Sequence, residues 1–418
     1  MGMRLRLSEA ANSTKTRGRC GMERWIYPLL FLILMACSGG APGEKPGTGQ
    51  SPGFDAQEIL VGSSLALTGH ASFLGTQTLH GALSYLNEVN EAGGVHGRKI
   101  RVIAYDDGYD PPRCLENTQR LIAVDRVFAL SCYVGTPTSV KIMRLVQEAR
   151  IPLVGLFTGA QILRNPFQRY IINIRASYHQ ETGAVVREFV ESLGMRKIAV
   201  FYQYDDYGFD GLTGTQIALK RYGLEPVAMG HYRRGSLEIE DALSQILGSG
   251  AEAVIMIGTY EPCAAFIRLA KARHFNPIFH CVSFVGPEEL ATRLGPVGDG
   301  VIITQVVPPP SAILLLPAAE EYTRLLGRFY PEDRPNYVGF EGFLNAKILV
   351  EGLRRASPVP DRERFIDAVE TIQNFSLGIG NPVTFGPRDH QGLDKVYFTQ
   401  IHAGELALVM NLKSEKRQ

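Results

Sequence analysis

The chain has 418 residues, with 43 Lys and Arg against 42 Asp and Glu, and 45% of its residues are hydrophobic. This ordinary globular composition excludes a wholly disordered, collagen-like or coiled-coil protein. The length predicts two domains, each with enough chain for a buried core. Because the formal net charge is only +1, we expect no nucleic-acid partner.

Residues 1–36 have the pattern of an export signal. A short basic segment precedes the apolar run at 25–36, which is shorter than the roughly 20 residues that a membrane-spanning helix needs. The tetrad LMAC at 34–37 resembles the bacterial lipobox, in which Cys37 would be lipidated and become the N-terminus. An ordinary signal peptide that ends near a cysteine is the alternative, and Met22 is a second candidate start. We expect an exported protein in the bacterial periplasm or at the cell surface, held to a membrane only by this lipid.

The segment at 37–54 is rich in Gly, Pro and Ser and predicts a flexible tether. Loss of the signal removes six basic and two acidic residues, so the exported chain is slightly acidic. It therefore has no electrostatic attraction for DNA or for anionic lipid headgroups. A diacylated cysteine carries more than one acyl chain, which is what stable anchoring requires.

From residue 58 onward, short apolar segments alternate with amphipathic ones. The pattern predicts strands at 59–67, 100–105, 127–133, 152–156, 197–202, 226–232, 253–257 and 278–284. It predicts helices at 76–91, 112–124, 139–149, 181–193, 212–222, 239–247 and 263–273. This alternation is typical of right-handed βαβ units, and its two runs predict two mostly parallel sheets. A proline-rich connection at 307–310, three helices within 318–373 and a short β-rich tail complete the chain.

Catalytic motifs are missing from the sequence. It contains no P-loop, HExxH, GxSxG or EF-hand pattern, and its nine histidines are scattered. The acidic pairs at 106–107 and 205–206 each follow a predicted strand, so turn formation and helix capping are the expected roles. We predict a protein that is not an enzyme and that needs no metal or cofactor.

Several different short segments follow one another in a characteristic order along the chain. They are VGSSLALTG at 61–69, GGVHGRKI at 93–100, YDD at 105–107, GTPTS at 135–139 and YDDYG at 204–208. Together they resemble the branched-chain amino-acid binding proteins, which are type I periplasmic solute-binding proteins of ABC importers. The similarity runs from about residue 57 to the C-terminus.

The resemblance implies an α/β fold of two doubly wound parallel-sheet lobes joined by a three-crossing hinge, with the ligand in the cleft and closure by hinge motion. The first lobe would contain 55–176 and 308–392, and the second 177–307 and 393–418. Independently, ligands of open α/β sheets bind beyond the carboxyl ends of the strands, where helix N-termini converge.

In the first lobe, the resemblance places the hydroxyl that contacts a ligand carboxylate at Thr136. This residue lies at the start of a predicted helix, where backbone N–H groups lack partners, and a role only as a helix cap is the alternative. The second anchor loop falls on Thr158 and Gly159, although this loop departs from the family's small-residue pattern. Phe73 and Leu74 match an apolar lid at the cleft mouth.

In the second lobe, Tyr207 and Tyr260 match the tyrosines that flank the ligand or hold its amino group. The acid that pairs with an α-ammonium in amino-acid binders falls on Phe284. Glu261 and Glu288 are nearby acids that could compensate. If neither does, the ligand need not carry an ammonium, and aromatic, dicarboxylic or amide-like solutes become alternatives.

Four cysteines remain in the exported chain besides the lipidated one. The pairs Cys114–Cys132 and Cys263–Cys281 each span one predicted helix and the following strand. Neighbouring elements can bring cysteines within bonding distance and export permits oxidation, so the two pairs are candidate disulfides. Four buried free thiols are the alternative.

These observations predict a monomeric, lipid-anchored solute-binding subunit of an ABC importer. It would capture a small carboxylate-bearing ligand such as an amino acid and deliver it to the permease subunits. The alternative is an extracytoplasmic sensory module of the same fold that signals to a membrane receptor or kinase. Both functions need the same cleft, so the sequence leaves this choice open.

Overall fold

A computed structural model of the chain describes residues 51–410 and 412. The export signal, Cys37 and most of the predicted tether lie outside the described residues. Among the residues that are described, no helix combines the length and the apolar character needed to cross a bilayer.

The fold begins before the predicted end of the tether. Phe54 is buried and packs on Phe128, with ring centroids 5.7 Å apart. The Gly53 carbonyl accepts the Leu60 N–H at 2.7 Å. Gly53 has a φ of +72°, and a Cβ there would overlap the Phe128 backbone. Gly53 and Phe54 therefore belong to the fold, which corrects the predicted boundary at residue 54.

The described residues form fourteen strands. They are β1 (Glu58–Leu65), β2 (Lys99–Asp106), β3 (Ala129–Ser131), β4 (Leu153–Val154), β5 (Ile171–Ile172), β6 (Ile198–Gln203), β7 (Met229–Tyr232), β8 (Ala253–Ile257), β9 (Ile278–Cys281), β10 (Ile302–Gln305), β11 (Phe375–Ser376), β12 (Pro382–Val383), β13 (Tyr397–His402) and β14 (Glu405–Val409).

The same part of the chain forms eleven α-helices. They are α1 (Ser72–Glu91), α2 (Pro111–Ala123), α3 (Thr136–Glu148), α4 (Tyr178–Arg187), α5 (Asp206–Lys220), α6 (Glu240–Leu247), α7 (Tyr260–Ala272), α8 (Pro287–Leu294), α9 (Pro317–Phe329), α10 (Tyr337–Arg355) and α11 (Arg362–Glu370).

The first lobe consists of the parallel sheet β2-β1-β3-β4-β5 with helices α1–α3 and α9–α11. Helices cover both faces of this sheet. Gly62 of β1 faces Leu121 of α2, whereas its neighbour Val61 lies with Leu79 of α1 and Leu349 of α10. Because side chains alternate along a strand, α2 and α10 lie on opposite faces.

The second lobe consists of the sheet β14-β13-β10-β9-β8-β6-β7 with helices α4–α8. Its central strands are parallel, while β13 and β14 add an antiparallel edge. The chain passes between the two lobes after β5, after β10 and after β12. The predicted α/β fold with two doubly wound lobes is therefore confirmed.

Several elements differ from the predicted ones. The predicted strand at 127–133 shortens to β3, because Cys132 adopts a φ of +60° that leaves the extended conformation. The predicted strand at 278–284 ends with β9 and continues as a 3-10 turn at Ser283–Val285. The strands β5 and β10 and the helix α8 were not predicted, since each is short.

Candidate functional site

Two buried threonines face each other at the N-terminus of α3. The Thr136 and Thr158 hydroxyl oxygens are 2.7 Å apart. Gly135 is the N-cap, and no side chain caps this helix, so the alternative role of Thr136 as a helix cap does not match the structure. One hydrogen bond uses only one of the two hydroxyl hydrogens. This pair, called the hydroxyl pair below, can therefore donate to a further oxygen.

Two tyrosine rings border the hydroxyl pair. A Cβ on Gly135 would overlap the Tyr109 ring, and a Cβ on Gly159 would lie 2.7 Å from Cδ1 of Tyr178. The Tyr178 hydroxyl is buried near Thr158 but makes no hydrogen bond of normal geometry. Burial raises the pKa of Tyr178 to about 12, so at neutral pH it remains a potential donor. Gly159 thus allows a third hydroxyl to approach the pair.

The second lobe faces this point with tyrosines from two helices. Tyr207, in the first turn of α5, is buried and donates to the Gly258 carbonyl at 3.3 Å. Tyr260 is the first residue of α7, and its ring meets the Phe73 ring edge-on at a centroid distance of 6.3 Å. Burial raises the pKa of both tyrosines.

Phe284 lies at the centre of five buried rings, which we call the aromatic cluster: Tyr109, Phe157, Tyr178, Tyr207 and Phe284. The Phe284 centroid is 4.7 Å from Tyr207, 5.5 Å from Phe157 and 5.9 Å from Tyr109. These are tilted contacts, an arrangement that stabilises aromatic pairs. Because Tyr109 and Phe157 belong to the first lobe, the cluster joins the two lobes across the cleft.

Arg175 lies beside the aromatic cluster, in the first passage between the lobes. It is buried, and its guanidinium carbon is 5.3 Å from the Phe157 centroid and 5.6 Å from that of Tyr178. The guanidinium donates to Glu181 at 2.9 Å and faces both oxygens of Glu341 at 3.4 Å. Since Glu181 lies on α4 and Glu341 on α10, this arginine contacts both lobes.

The two glutamates differ in their surroundings. Glu181 also accepts the Ser283 N–H at 2.8 Å, the Ser283 hydroxyl at 2.9 Å and the Thr304 hydroxyl at 2.7 Å. Glu341 has Arg175 as its hydrogen-bonding partner. Burial raises the pKa of Glu341 to about 7, although the nearby Arg175 acts in the opposite direction.

The acids expected to compensate for Phe284 are engaged elsewhere. Glu261 pairs with Arg293 at 3.3 Å. Glu288 accepts the Tyr337 N–H at 2.7 Å, at the start of α10, and burial raises its pKa to about 7. Neither acid makes a hydrogen bond to a member of the aromatic cluster among the described residues.

A cavity of about 550 Å³ lies at the mouth of the cleft, and its lining includes Phe73, Tyr260 and Glu261. Leu74 is fully buried behind it. A Cβ on Gly286 would lie 2.9 Å from Leu74 Cδ2 and 3.0 Å from the Tyr260 ring. Phe73 and Leu74 of the first lobe therefore contact the second lobe at the cleft mouth.

The first predicted disulfide is wrong. Cys114 and Cys132 are free, buried thiols. Cys114 lies on α2, and its thiol interacts with Asp107. The positive φ of Cys132 turns its side chain toward Leu79 and Leu349, on the opposite face of the sheet. The β-sheet thus separates the two sulfur atoms.

The second predicted disulfide is also not formed, although its two thiols are in contact. Cys263 on α7 and Cys281 on β9 are both free and buried. Burial raises the pKa of Cys263 well above its ordinary value, and the neighbouring Cys281 thiol raises it further. Because disulfide exchange requires a thiolate, such burial opposes oxidation of this pair.

The acidic pairs after β2 and β6 have the expected structural roles. Asp106 accepts the N–H groups of Leu67 and Thr68, and Asp205 caps α5 by accepting the Tyr207 N–H at 3.1 Å. Among the described residues, no group of three or more His, Cys, Asp or Glu side chains is placed to hold a metal ion.

Sequence reasoning missed Arg175, Tyr178 and Tyr109. A signal for Arg175 exists, since it is the one charged residue in the mostly apolar segment YIINIRAS at 170–177. Such a charge is rarely buried without a partner. The two tyrosines carry no comparable local signal.

The sequence model of the periplasmic binding protein family matches residues 58–405. The chain belongs to the periplasmic binding protein family. The prediction of a binding protein, and not an enzyme, is thereby confirmed, and the family implies a location outside the cytoplasm.

Individual relatives agree with this membership. The "Leu/Ile/Val-binding protein homolog 7" of Brucella suis is 24% identical over 80% of this chain and 83% of its own length. An "Amino acid binding protein" of Pseudomonas aeruginosa is 23% identical over 57% of this chain and 64% of its own length. A crystal structure of a "possible leucine/isoleucine/valine-binding protein" from Rhodopirellula baltica is 37% identical, with a TM-score of 0.81, over 85% of this chain and 97% of that chain.

Proposed function

We propose that this periplasmic binding protein is the solute-binding subunit of an ABC importer, and that it captures a small carboxylate-bearing ligand between its lobes. The hydroxyl pair carries this proposal. It lies at the N-terminus of the thirteen-residue helix α3, where the helix dipole favours an anion. The unpartnered Tyr178 hydroxyl, buried beside it, is a further donor for a carboxylate oxygen.

The remaining proposed ligand contacts come from both lobes. Thr136, Thr158 and Gly159 form the carboxylate seat of the first lobe, and Tyr207, Tyr260 and Phe284 surround the ligand body from the second. Phe73 and Leu74 cover the mouth. Hinge motion at the three passages between the lobes opens and closes the cleft. The names of the relatives as amino-acid binding and Leu/Ile/Val-binding proteins support a carboxylate ligand.

The proposal includes export of a monomer and lipidation of Cys37, which lies outside the described residues. The lipid would hold the protein at the membrane, where the permease subunits are. No catalytic step is required, because capture, closure and delivery are binding events.

Thr136→Val tests the carboxylate seat. A thermal-shift screen of amino acids and organic acids first identifies a ligand, since a ligand at about 100 times its Kd adds about 2.7 kcal/mol of apparent stability. A hydrogen bond to a charged group contributes about 1.5–3 kcal/mol, so the variant should bind that ligand about tenfold to a hundredfold more weakly by calorimetry. Valine keeps the shape of threonine, so the melting temperature should change little.

Thr215→Val is the matched control. Thr215 is equally buried, but its hydroxyl donates to the Gly211 carbonyl of its own helix. We expect this variant to keep the wild-type Kd. An unchanged Kd in Thr136→Val would contradict the proposed seat.

Uptake of the labelled ligand by cells with and without this chain separates transport from sensing. Loss of uptake in the deletion strain supports the importer subunit. Normal uptake together with loss of a ligand-induced transcriptional response would favour the sensory alternative.

A further inference from the structure

We propose that the ligand is a small organic acid with an apolar, preferably aromatic, body and no ammonium group. This inference rests on the proposed function, because it takes the hydroxyl pair as the seat of the ligand carboxylate. It adds the chemical class of the rest of the ligand, which follows from the side chains around that seat.

The seat opens directly onto the aromatic cluster. Tyr109 packs against Gly135, which precedes Thr136, and Tyr178 packs against Gly159, which follows Thr158. A carboxylate at the hydroxyl pair therefore has its attached carbon atoms beside these rings. All five rings of the cluster are at most 1% exposed, so a ligand body that enters among them leaves water for an apolar, aromatic environment. Such a site favours apolar and aromatic groups.

Three carboxylate groups near the aromatic cluster already bind other side chains. Both oxygens of Glu181 accept hydrogen bonds, from Arg175, Ser283 and Thr304. Glu341 faces Arg175. Asp205 accepts the Gln203 amide at 2.7 Å and pairs with Arg234 at 3.2 Å. A ligand ammonium placed in the cluster would lose its hydration without gaining a carboxylate partner, which is unfavourable in a buried site.

Ring faces do not replace the missing carboxylate. Aromatic faces can hold an ammonium through cation–π attraction. Here Arg175 already lies over Phe157 and Tyr178, and the Arg234 guanidinium carbon lies 5.7 Å from the Tyr109 centroid. Three of the five rings thus already have a guanidinium within cation–π distance, and a ligand ammonium would have to share these rings with it.

Two nearby acids have an unused oxygen, since Asp210 Oδ2 and Glu288 Oε2 are buried and have no hydrogen-bond partner among the described residues. Asp210 is already held by the Gln161 N–H, at 2.9 Å from its other oxygen. Glu288 is the acid that the sequence pointed to. Its Oε1 accepts the Tyr337 N–H at the start of α10, so this carboxyl group is directed to the first lobe's helix. Glu288→Gln therefore serves as the variant that would reveal an ammonium site there.

Matched ligand pairs test the inference with the full exported chain. The pairs are 3-phenylpropanoate with phenylalanine and 4-methylpentanoate with leucine, which differ only by the ammonium group. The amide 3-phenylpropanamide lacks only the carboxylate charge. We expect each acid to bind at least about tenfold tighter than its amino acid in calorimetry, and the phenyl acid to bind tighter than the methylpentanoate.

The outcomes separate the two proposals. An amino acid that binds as tightly as its deaminated partner, or tighter, overturns this inference and leaves the importer function standing. If Glu288→Gln then removes that binding, Glu288 is the ammonium partner. If the amide binds as tightly as the acid, the carboxylate seat is wrong and both proposals fall. If none of the four acids binds at millimolar concentration, the ligand class inferred here is wrong, and the thermal-shift screen still tests the importer function.

Phe284→Leu tests the ring contact itself. We expect about tenfold weaker binding of 3-phenylpropanoate and less than about threefold change for 4-methylpentanoate. Phe189→Leu is the control, because Phe189 is equally buried but packs on His280 in the second-lobe core. Equal losses for both ligands in Phe284→Leu would contradict a ring contact. If that variant does not fold, the binding of the matched ligand pairs to the wild-type chain still decides whether the ligand lacks an ammonium group.

Discussion

At the scale of single residues, Arg175 shows how a buried charge is tolerated in this fold. Glu181 neutralises it with good geometry at 2.9 Å, while Glu341 faces it at 3.4 Å. Because burial penalises the ionised form of Glu341 more than Arg175 stabilises it, the pKa of Glu341 rises to about 7. Arg175 is therefore bound more weakly by Glu341 than by Glu181.

Glu341→Gln should reveal the free-energy cost of the buried, ionised Glu341, because the variant lacks the pH dependence of stability that this carboxyl causes. Glu341 has a higher pKa in the folded state than in the unfolded state. Its contribution to the stability of the fold is therefore largest at low pH, where this carboxyl is protonated, and falls as the pH rises and the carboxyl ionises. As the pH rises from about 4.5 to 7, the wild type should therefore lose up to about 3 kcal/mol of unfolding free energy relative to the variant. Chemical denaturation of both proteins at pH 5 and pH 8 measures this difference. A difference that does not change with pH would contradict the raised pKa.

At the scale of elements, the chain leaves the sheet at the end of β9 and its next residues line the cleft. The Ser283 N–H and hydroxyl bind Glu181, so the backbone leaves the sheet and forms the 3-10 turn at Ser283–Val285. Phe284 then points into the aromatic cluster. Gly286, with a φ of +78°, turns the chain into α8 and approaches Leu74 of the first lobe.

Gly286→Ala should obstruct closure of the cleft. The new Cβ would lie 2.9 Å from Leu74 and 3.0 Å from Tyr260, so the lobes could not approach as closely. We expect at least about tenfold weaker ligand binding by calorimetry, since closure surrounds the ligand. The ligand used is the one identified by the thermal-shift screen.

Gly295→Ala is the control for backbone strain. Gly295 also has a positive φ, of +54°, but a Cβ there would meet no atom within 4 Å. This variant should lose about 1–3 kcal/mol of stability and keep its affinity. If both alanine variants bind equally well, contact at Gly286 does not limit closure.

At the scale of the whole molecule, the two lobes meet through an aromatic centre with polar contacts around it. The Gln161 N–H of the first lobe donates to Asp210 at 2.9 Å, and Gln203 of the second lobe donates to the Tyr109 hydroxyl at 3.4 Å. Water can replace such hydrogen bonds when the cleft opens, so their net contribution is small. The aromatic contacts, and not the peripheral polar ones, are therefore expected to decide how firmly the lobes close.

Cys37→Ser tests the proposed anchor. Because the fold begins with Gly53 and Phe54, which bind to β1 and Phe128, loss of a lipid at residue 37 should release the protein without changing ligand affinity. Cell fractionation should move the variant from the membrane to the soluble fraction. A variant that still sediments with membranes and resists carbonate extraction would show that Cys37 does not hold the anchor.

The sequence alone determined those features that depend on neighbouring residues. Apolar periodicity predicted most strands and helices and two mostly parallel sheets. The ordered short segments indicated the family, and with it the two-lobe fold, before any contact was known. These signals are local, since a strand or helix is recognised by residues a few positions apart.

Only the tertiary structure decided which distant side chains meet. Arg175 and Glu341 are far apart in sequence, and nothing in either segment indicates their ion pair. The positive φ of Cys132 separates it from Cys114, and no spacing rule contains that information. The aromatic cluster combines rings from both lobes, so it exists only where the lobes come together. The physical reason is that local patterns specify elements, whereas a site in a cleft depends on how the packed elements are placed in space.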